Sequence, residues 1–445
     1  MKRVKIFLAT VALVATVVCA NAQEKRESPV KEHLQNHFKF YGFIRNYFAF
    51  DTRESFAGSG DLYYWLPKDQ LLNADGEDMN AQNQFRFLSL TTRAGVDVSG
   101  YRINNLDFGA KIETDFYAGL TGSTGTAQLR LRQAYLTMKW TSPDNPGCSI
   151  QLKAGQAWHP MAADLPDIFS LESGAPFGPF SRTPQVTADF NLGSHVTLTA
   201  SALWQMQYCS MGPSAFDNAG VPTAVASSAD YIKYGCTPEF YFGVSCKTGG
   251  FLGRIGMDVL SIAPRHTANV GGKTVKVKDR YSAVSPFLYL QYSKDLLKLK
   301  LKTTYGNGGE HFNLMSGYAV SSTDDARKWE YTPIRNSATW FTASYGKKFV
   351  GAVLLGYSRN FGTSKEIVGP AYVFFQKNGT ANFNQMYRIQ PEFTYNLGKF
   401  TVGLEYMLTS VQYGDAATMD KYALAKGNLH WITNHRVQAM LKFAF

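Results

Sequence analysis

In the stretch KLKLKTTYGNGG, Lys298, Lys300 and Lys302 stand at every second position with Leu299 and Leu301 between them. Side chains two apart share one face of a β-strand, so this spacing makes a cationic ladder backed by an apolar face. Such a ladder cannot make or break bonds by itself; its chemistry is the attraction of anions. Arg130 and Arg132 repeat the pattern in LRLR, and Arg93 lies on another alternating segment. Candidate counter-charges, Asp164, Asp167 and Glu172, fall in a Pro- and Gly-rich stretch at 158–184. The eight histidines are scattered. His33 and His37 have helical spacing but no third ligand nearby, so no metal site and no cofactor is expected. His195 follows Ser194 at a short turn, where a surface histidine is ordinary, and no phosphate-binding loop is present. The residue types point to charge selection, not catalysis.

Whether the ladder guards a soluble sheet or lines a wall between lipid and water depends on the elements that carry it. Clean alternation recurs along the chain. Leu106, Phe108, Ala110, Ile112 and Phe116 oppose Asp107, Lys111, Glu113 and Asp115. Sixteen such segments are expected: 38–45, 88–98, 106–116, 129–140, 148–157, 185–192, 196–208, 231–246, 251–262, 281–292, 297–305, 337–345, 349–359, 387–395, 400–411 and 432–445. Along 129–140 the apolar phase shifts from Leu129 and Leu131 to Ala134, Leu136, Met138 and Trp140, which predicts a β-bulge.

The ends fit a membrane setting. MKRVKIFLATVALVATVVCANA has a basic start, an apolar core and small residues before Gln23, the pattern of a secretory signal peptide over 1–22. Val18 stands before Cys19 where a lipoprotein signal would have a small residue. No later run supplies the ~18 apolar residues of a membrane helix. Tyr, Phe and Trp nevertheless total 63, while charged residues are 18% of the chain, a composition that suits a barrel with aromatic girdles. The chain ends on an alternating strand whose outward face includes Phe443 and Phe445, which resembles the C-terminal signal read by the barrel assembly machinery.

The connections alternate in length. Short turns such as 193–194, 294–295 and 346–348 alternate with long polar stretches at 51–83, 158–184, 209–230, 263–280, 306–336, 361–386 and 413–430. Short periplasmic turns and long extracellular loops define an all-β, transmembrane antiparallel β-barrel of sixteen strands over 38–445, preceded by a short periplasmic segment at 23–37. The lysines then face a watery lumen and the leucines face lipid. A charge facing lipid at the midplane would cost ~2–4 kcal/mol. Inward positions carry thirteen basic residues, among them Lys39, Arg45, Arg93, Lys111 and Lys233, against nine acidic ones, before Arg130 and Arg132 are placed. Without the leader the chain has 42 Lys and Arg against 34 Asp and Glu, net +8. A tube lined by an excess of one sign enriches counter-ions, so anion preference is expected unless the charges simply pair across strands.

At LRLRQAYL (129–136), KAGQAWHP (153–160) and FKFYGFIRNYFAFD (38–51), the sequence resembles the DcaP-like porins, sixteen-stranded trimeric outer-membrane channels. The motifs cover scattered parts of the first 160 residues. The resemblance implies trimers, an inward-folded third loop, and passage of small organic anions such as dicarboxylates. It also implies that Arg130 and Arg132 sit at the constriction with 158–184 folded against them. Some members carry a periplasmic coiled coil; Gln23–His37 is too short for one.

The resulting expectation is a non-enzymatic porin in the outer membrane of a Gram-negative bacterium, with Arg93, Arg130, Arg132, Lys298, Lys300 and Lys302 on the wall. Asp164, Asp167 and Glu172 would sit on the constriction loop. Expected partners are membrane lipid, lipopolysaccharide, the assembly machinery, two further copies of the chain and small anionic solutes; nothing points to nucleic acid. The alternative is a surface adhesin or receptor with a closed lumen. Among the cysteines, Cys209 and Cys236 are the only pair placed to bond, because Cys148 and Cys246 are separated by intervening strands.

Overall fold

The structure is a computed structural model that describes residues 37–58, 63–117, 127–218, 221–374 and 382–445. The expected signal peptide, and the segment 23–37 apart from His37, lie outside the described residues.

The first third of the chain contains β1 (Phe38–Asp51), β2 (Ser55–Gly58), β3 (Tyr63–Pro67), β4 (Gln84–Leu88), β5 (Arg93–Ile103), β6 (Leu106–Tyr117), β7 (Gln128–Thr141) and β8 (Ser149–Trp158). Next come β9 (Arg182–Leu192), β10 (Val196–Leu203), β11 (Met211–Phe216), β12 (Pro222–Ser227), the short helix α1 (Asp230–Gly235), β13 (Glu239–Thr248) and β14 (Phe251–Ile262). They are followed by β15 (Thr267–Val270), β16 (Lys273–Lys276), β17 (Tyr281–Lys294), β18 (Leu297–Asn307), β19 (Gly317–Asp325) and β20 (Lys328–Gly346). The chain finishes with β21 (Phe349–Thr363), β22 (Ala371–Val373), β23 (Phe383–Leu397), β24 (Phe400–Tyr413) and β25 (His430–Ala444).

Neighbouring barrel strands pair antiparallel in chain order, and the sheet closes where β1 meets both β25 and β5. Counting the collinear β4 and β5 as one strand, and leaving aside the hairpins of the loops, sixteen strands close the barrel. All sixteen expected segments have their strand.

Alternation explains the wall. On β1, Phe40, Ile44 and Phe50 are exposed on the outer face while Tyr47 and Asp51 are buried on the inner one. Outer aromatics gather at two levels. Phe251, Tyr292, Tyr345, Phe349, Phe393, Phe400 and Phe443 lie near the short turns, while Phe50, Phe116, Tyr305, Phe361 and Trp431 lie near the long loops. Ile112, Ile255, Leu355 and Leu404 are exposed between them. An exposed apolar band between two aromatic girdles is the outer surface of an outer-membrane barrel. Among the described residues no helix is long and apolar enough to cross a membrane.

The barrel seam depends on Gly42. Phe445 exchanges backbone hydrogen bonds with Gly42, and a Cβ added at Gly42 would stand 2.6 Å from the Phe445 ring and from the Arg93 carbonyl.

Two segments depart from expectation. The strand expected at 196–208 ends at Leu203, and the one expected at 231–246 begins only at Glu239. Residues 230–235 instead form α1, with Asp230 in its first turn and Cys236 left-handed (φ 49°) at its end. Lys233 is therefore not an inward residue; it is exposed on α1 beside Asp230. All four cysteines among the described residues, Cys209 and Cys236 included, are free.

Candidate pore constriction

The segment between β8 and β9 runs inside the barrel along one side of its wall. Arg254 on β14 is 3.4 Å from Asp164, and Lys302 on β18 donates to the Asp164 carbonyl at 3.1 Å. Lys300 donates to the Leu165 carbonyl at 3.0 Å and to the Asp167 carboxylate at 2.7 Å, with Lys298 3.5 Å from the same side chain. Further along, the Phe169 amide donates to Glu392, Gln390 donates to Ser170, and Arg388 lies 3.6 Å from Glu172. Tyr47, across the seam on β1, donates to the Phe169 carbonyl at 2.8 Å. Close approach needs small wall residues: a Cβ at Gly356 would meet the Phe177 ring at 2.6 Å, and one at Gly403 the Phe169 ring at 2.7 Å.

This placement changes the reading of the lysine ladder. Lys302 is only 1% exposed, so it does not line an opening. A cation held away from water requires a partner, and backbone and carboxylate oxygens of the inward loop supply it. Lys300 and Lys302 are fasteners for that loop, while Lys298 stays partly open. The loop acids likewise face the cations behind them. Asp164, Asp167 and Glu172 pair with Arg254, Lys298, Lys300 and Arg388.

A second loop enters the lumen, which the sequence reading missed. The β2–β3 hairpin carries Tyr63, Tyr64, Trp65 and Leu66, all buried. Arg388 donates to the Trp65 carbonyl at 2.7 Å, Tyr413 donates to the Pro67 carbonyl at 2.6 Å, and Arg436 lies over the Tyr64 ring. The available signal was YYWLP itself, a compact aromatic run inside an otherwise polar loop. Trp65 packs edge-on to Phe374, and Tyr63 meets Phe180 of the other inward loop.

The wall of β5 to β9 carries the other charges. The expected bulge occurs in β7, where the register shifts between Glu113 and Thr114 and turns Arg132 inward beside Gln133. Arg130 grips Asp115 with two bonds of 2.9 and 3.0 Å. Arg132 bonds Glu113 at 2.8 Å and Asp115 at 2.6 Å. Arg93 stands 3.6 Å from Glu113 and 4.0 Å from Asp115. Arg45 on β1 donates to Thr91, and Arg182, the first residue of β9, lies over the Trp158 and Phe180 rings. The terminal nitrogens of Arg182 have no hydrogen-bond partner. Tyr63 reaches this group from the hairpin and accepts from Arg130 at 3.3 Å. Three guanidiniums, those of Arg93, Arg130 and Arg132, thus surround two carboxylates. Arg93 and Arg130 keep 20% and 16% of their side chains exposed.

Charge therefore divides unevenly. The loop acids and the Lys298, Lys300, Lys302 and Arg254 side chains satisfy one another or backbone carbonyls, while the opposite wall brings three arginines to two carboxylates. Planar guanidiniums pair with carboxylates through parallel hydrogen bonds, as Arg130 does with Asp115.

No family model matches the chain, and no curated protein matches it. Solved structures do. The outer membrane channel DcaP of Acinetobacter baumannii superposes with a TM-score of 0.62 at 18% identity, over 92% of this chain and 97% of that one. An anion-selective porin from Comamonas acidovorans gives 0.50 at 14% identity, covering 92% and 99%. Salmonella typhi OmpF, in a complex with daunomycin, gives 0.50 at 13%, covering 92% and 98%. The fold is that of the outer-membrane porins. Within that class it matches the DcaP channel, so the resemblance in the strand motifs holds at the level of fold.

Proposed function

We propose that this chain is a passive outer-membrane porin that admits small hydrophilic solutes and favours organic anions, acting as a homotrimer without catalysis. The observation that carries the reading is the group of Arg93, Arg130 and Arg132 on only Glu113 and Asp115, with Arg93 and Arg130 partly exposed, facing a loop whose own acids are already paired. A solute carboxylate entering the gap meets guanidinium donors that the wall does not fully neutralise. Transport follows the gradient, since the arrangement selects by charge and size alone. Phe443 and Phe445 serve as the assembly signal, and rim lysines contact lipopolysaccharide phosphates.

One observation favours the second reading, a closed barrel acting through its surface loops: the YYWLP hairpin occupies lumen that a wide pore would leave free. Liposome swelling separates the two. Proteoliposomes should swell in a small neutral sugar and faster in a C4 dicarboxylate salt. Absence of swelling in both, with the barrel folded, would leave the surface-protein reading standing.

A further inference from the structure

Above the lysine fasteners, four side chains from four separate places meet in one buried spot. His159 follows β8, Glu239 opens β13, Asp258 lies on β14, and His311 sits in the 3-10 turn Glu310–Phe312 after β18. All four are at most 2% exposed. His159, Glu239 and Asp258 lie close enough to share one ion.

Their hydrogen bonds assign different parts to the two imidazoles. The Nδ1 of His159 accepts from the Met161 amide at 3.1 Å, so its single proton sits on Nε2 and is donated to Glu239 at 2.9 Å. That nitrogen has no lone pair to offer an ion, and 2.9 Å is a hydrogen-bond length. His311 is different: neither ring nitrogen has a hydrogen-bond partner, and the same holds for Asp258 Oδ1. His311 Nε2 stands 3.5 Å from Glu239 Oε1 and 3.8 Å from Asp258 Oδ2. Ligands ~2.0–2.2 Å from a tetrahedral ion lie about 3.3–3.6 Å from one another. Two carboxylates buried among imidazoles concentrate negative charge that a divalent cation would balance.

We propose that Glu239, Asp258 and His311 bind one divalent transition-metal cation, with His159 as a positioning residue that orients Glu239. A nitrogen ligand beside two carboxylates suits zinc and its neighbours better than calcium, which takes oxygen ligands. The ion would clasp the loop carrying His311 to the wall and, through His159, steady the start of the constriction loop. Sequence spacing could not reveal it, because positions 159, 239, 258 and 311 match no ligand motif.

The test is equilibrium dialysis of the chelator-stripped, detergent-solubilised protein against Zn²⁺, with bound metal counted by mass spectrometry. Heat-modifiable gel mobility checks that the barrel is folded. One zinc per chain is expected, with a higher unfolding temperature. His311→Gln and Asp258→Asn should each abolish stoichiometric binding and the temperature shift. His159→Gln, which retains an N–H for Glu239, should keep the stoichiometry with affinity lowered about 10–100-fold. If Asp258→Asn does not fold, His311→Gln decides. Absence of zinc on the folded wild type, or uptake indifferent to His311→Gln, overturns the site. Complete loss in His159→Gln overturns the division between ligand and positioning residue.

Discussion

Replacing Lys300 with methionine tests whether the lysine ladder fastens the inward loop. Methionine keeps most of the stem volume and removes the charge. The change deletes the 2.7 Å bond to Asp167 and the 3.0 Å bond to the Leu165 carbonyl. A hydrogen bond involving a charged group contributes about 1.5–3 kcal/mol. Asp167 keeps Lys298 at 3.5 Å and is 27% exposed, so water and the second lysine recover part of the loss. The surviving cost is about 1–2 kcal/mol, which multiplies the time the 164–168 segment spends off its wall by about 5–30. A released segment moves into the gap before the arginine wall. Single-channel recordings should therefore show transient partial blockades about 5–30 times more often than wild type, with the barrel folded by gel mobility. Blockade frequency unchanged in Lys300→Met, and in the Lys300→Met/Lys302→Met double variant, would refute the fastening argument.

Arg93→Gln removes one partly exposed charge while Glu113 and Asp115 keep Arg130 and Arg132. A unit charge ~8 Å from a permeant ion contributes ~0.5 kcal/mol in water, screened to ~0.2 kcal/mol at 0.1 M salt. The anion-to-cation permeability ratio should fall about twofold at 0.1 M and about three- to fourfold at 0.01 M; a ratio independent of salt would count against a field effect. Trp65→Ala empties the centre of the hairpin, and burial of this size is worth about 3–5 kcal/mol. Conductance should rise as the hairpin leaves the lumen, and an unchanged value would mean that the hairpin does not narrow the path. Gly42→Val should impair closure of the seam at Phe445, read as loss of the folded band on unheated gels. In the loop between β3 and β4, burial raises the Asp78 carboxyl, but the Arg53 hydrogen bond and the Leu71 and Asn80 amides outweigh it and hold it below its ordinary range. Its contribution is present above pH ~4 and is lost as pH falls through the lowered value, so exchange protection of residues 68–80 should hold at pH 5 and weaken below pH 4. Protection lost already at pH 5 would point to another group.

The wall was legible because lipid and lumen impose period-two alternation, and the phase shift at Leu131 to Ala134 exposed the β7 bulge directly. Its boundaries failed where local chemistry interrupted the pattern. Residues 230–235 alternate well enough for a strand, yet they coil into α1. What fills the lumen was less legible. Alternation put Lys302 inward correctly but could not say that a loop 138 residues earlier in the chain would cover it. Position 182 falls within the loop expected at 158–184, yet Arg182 opens β9 and lies over Trp158 and Phe180. The buried group of His159, Glu239, Asp258 and His311 has no sequence signature, because closing a barrel joins positions that no spacing relates.

The central claim is an anion-attracting constriction, and the reversal potential of the purified protein in a planar bilayer under a tenfold KCl gradient tests it most directly. The account predicts open channels whose reversal potential lies toward that of chloride and moves toward zero in Arg93→Gln. Open channels reversing toward potassium would contradict the assignment of the arginine wall, and a folded barrel without conductance would contradict the channel itself.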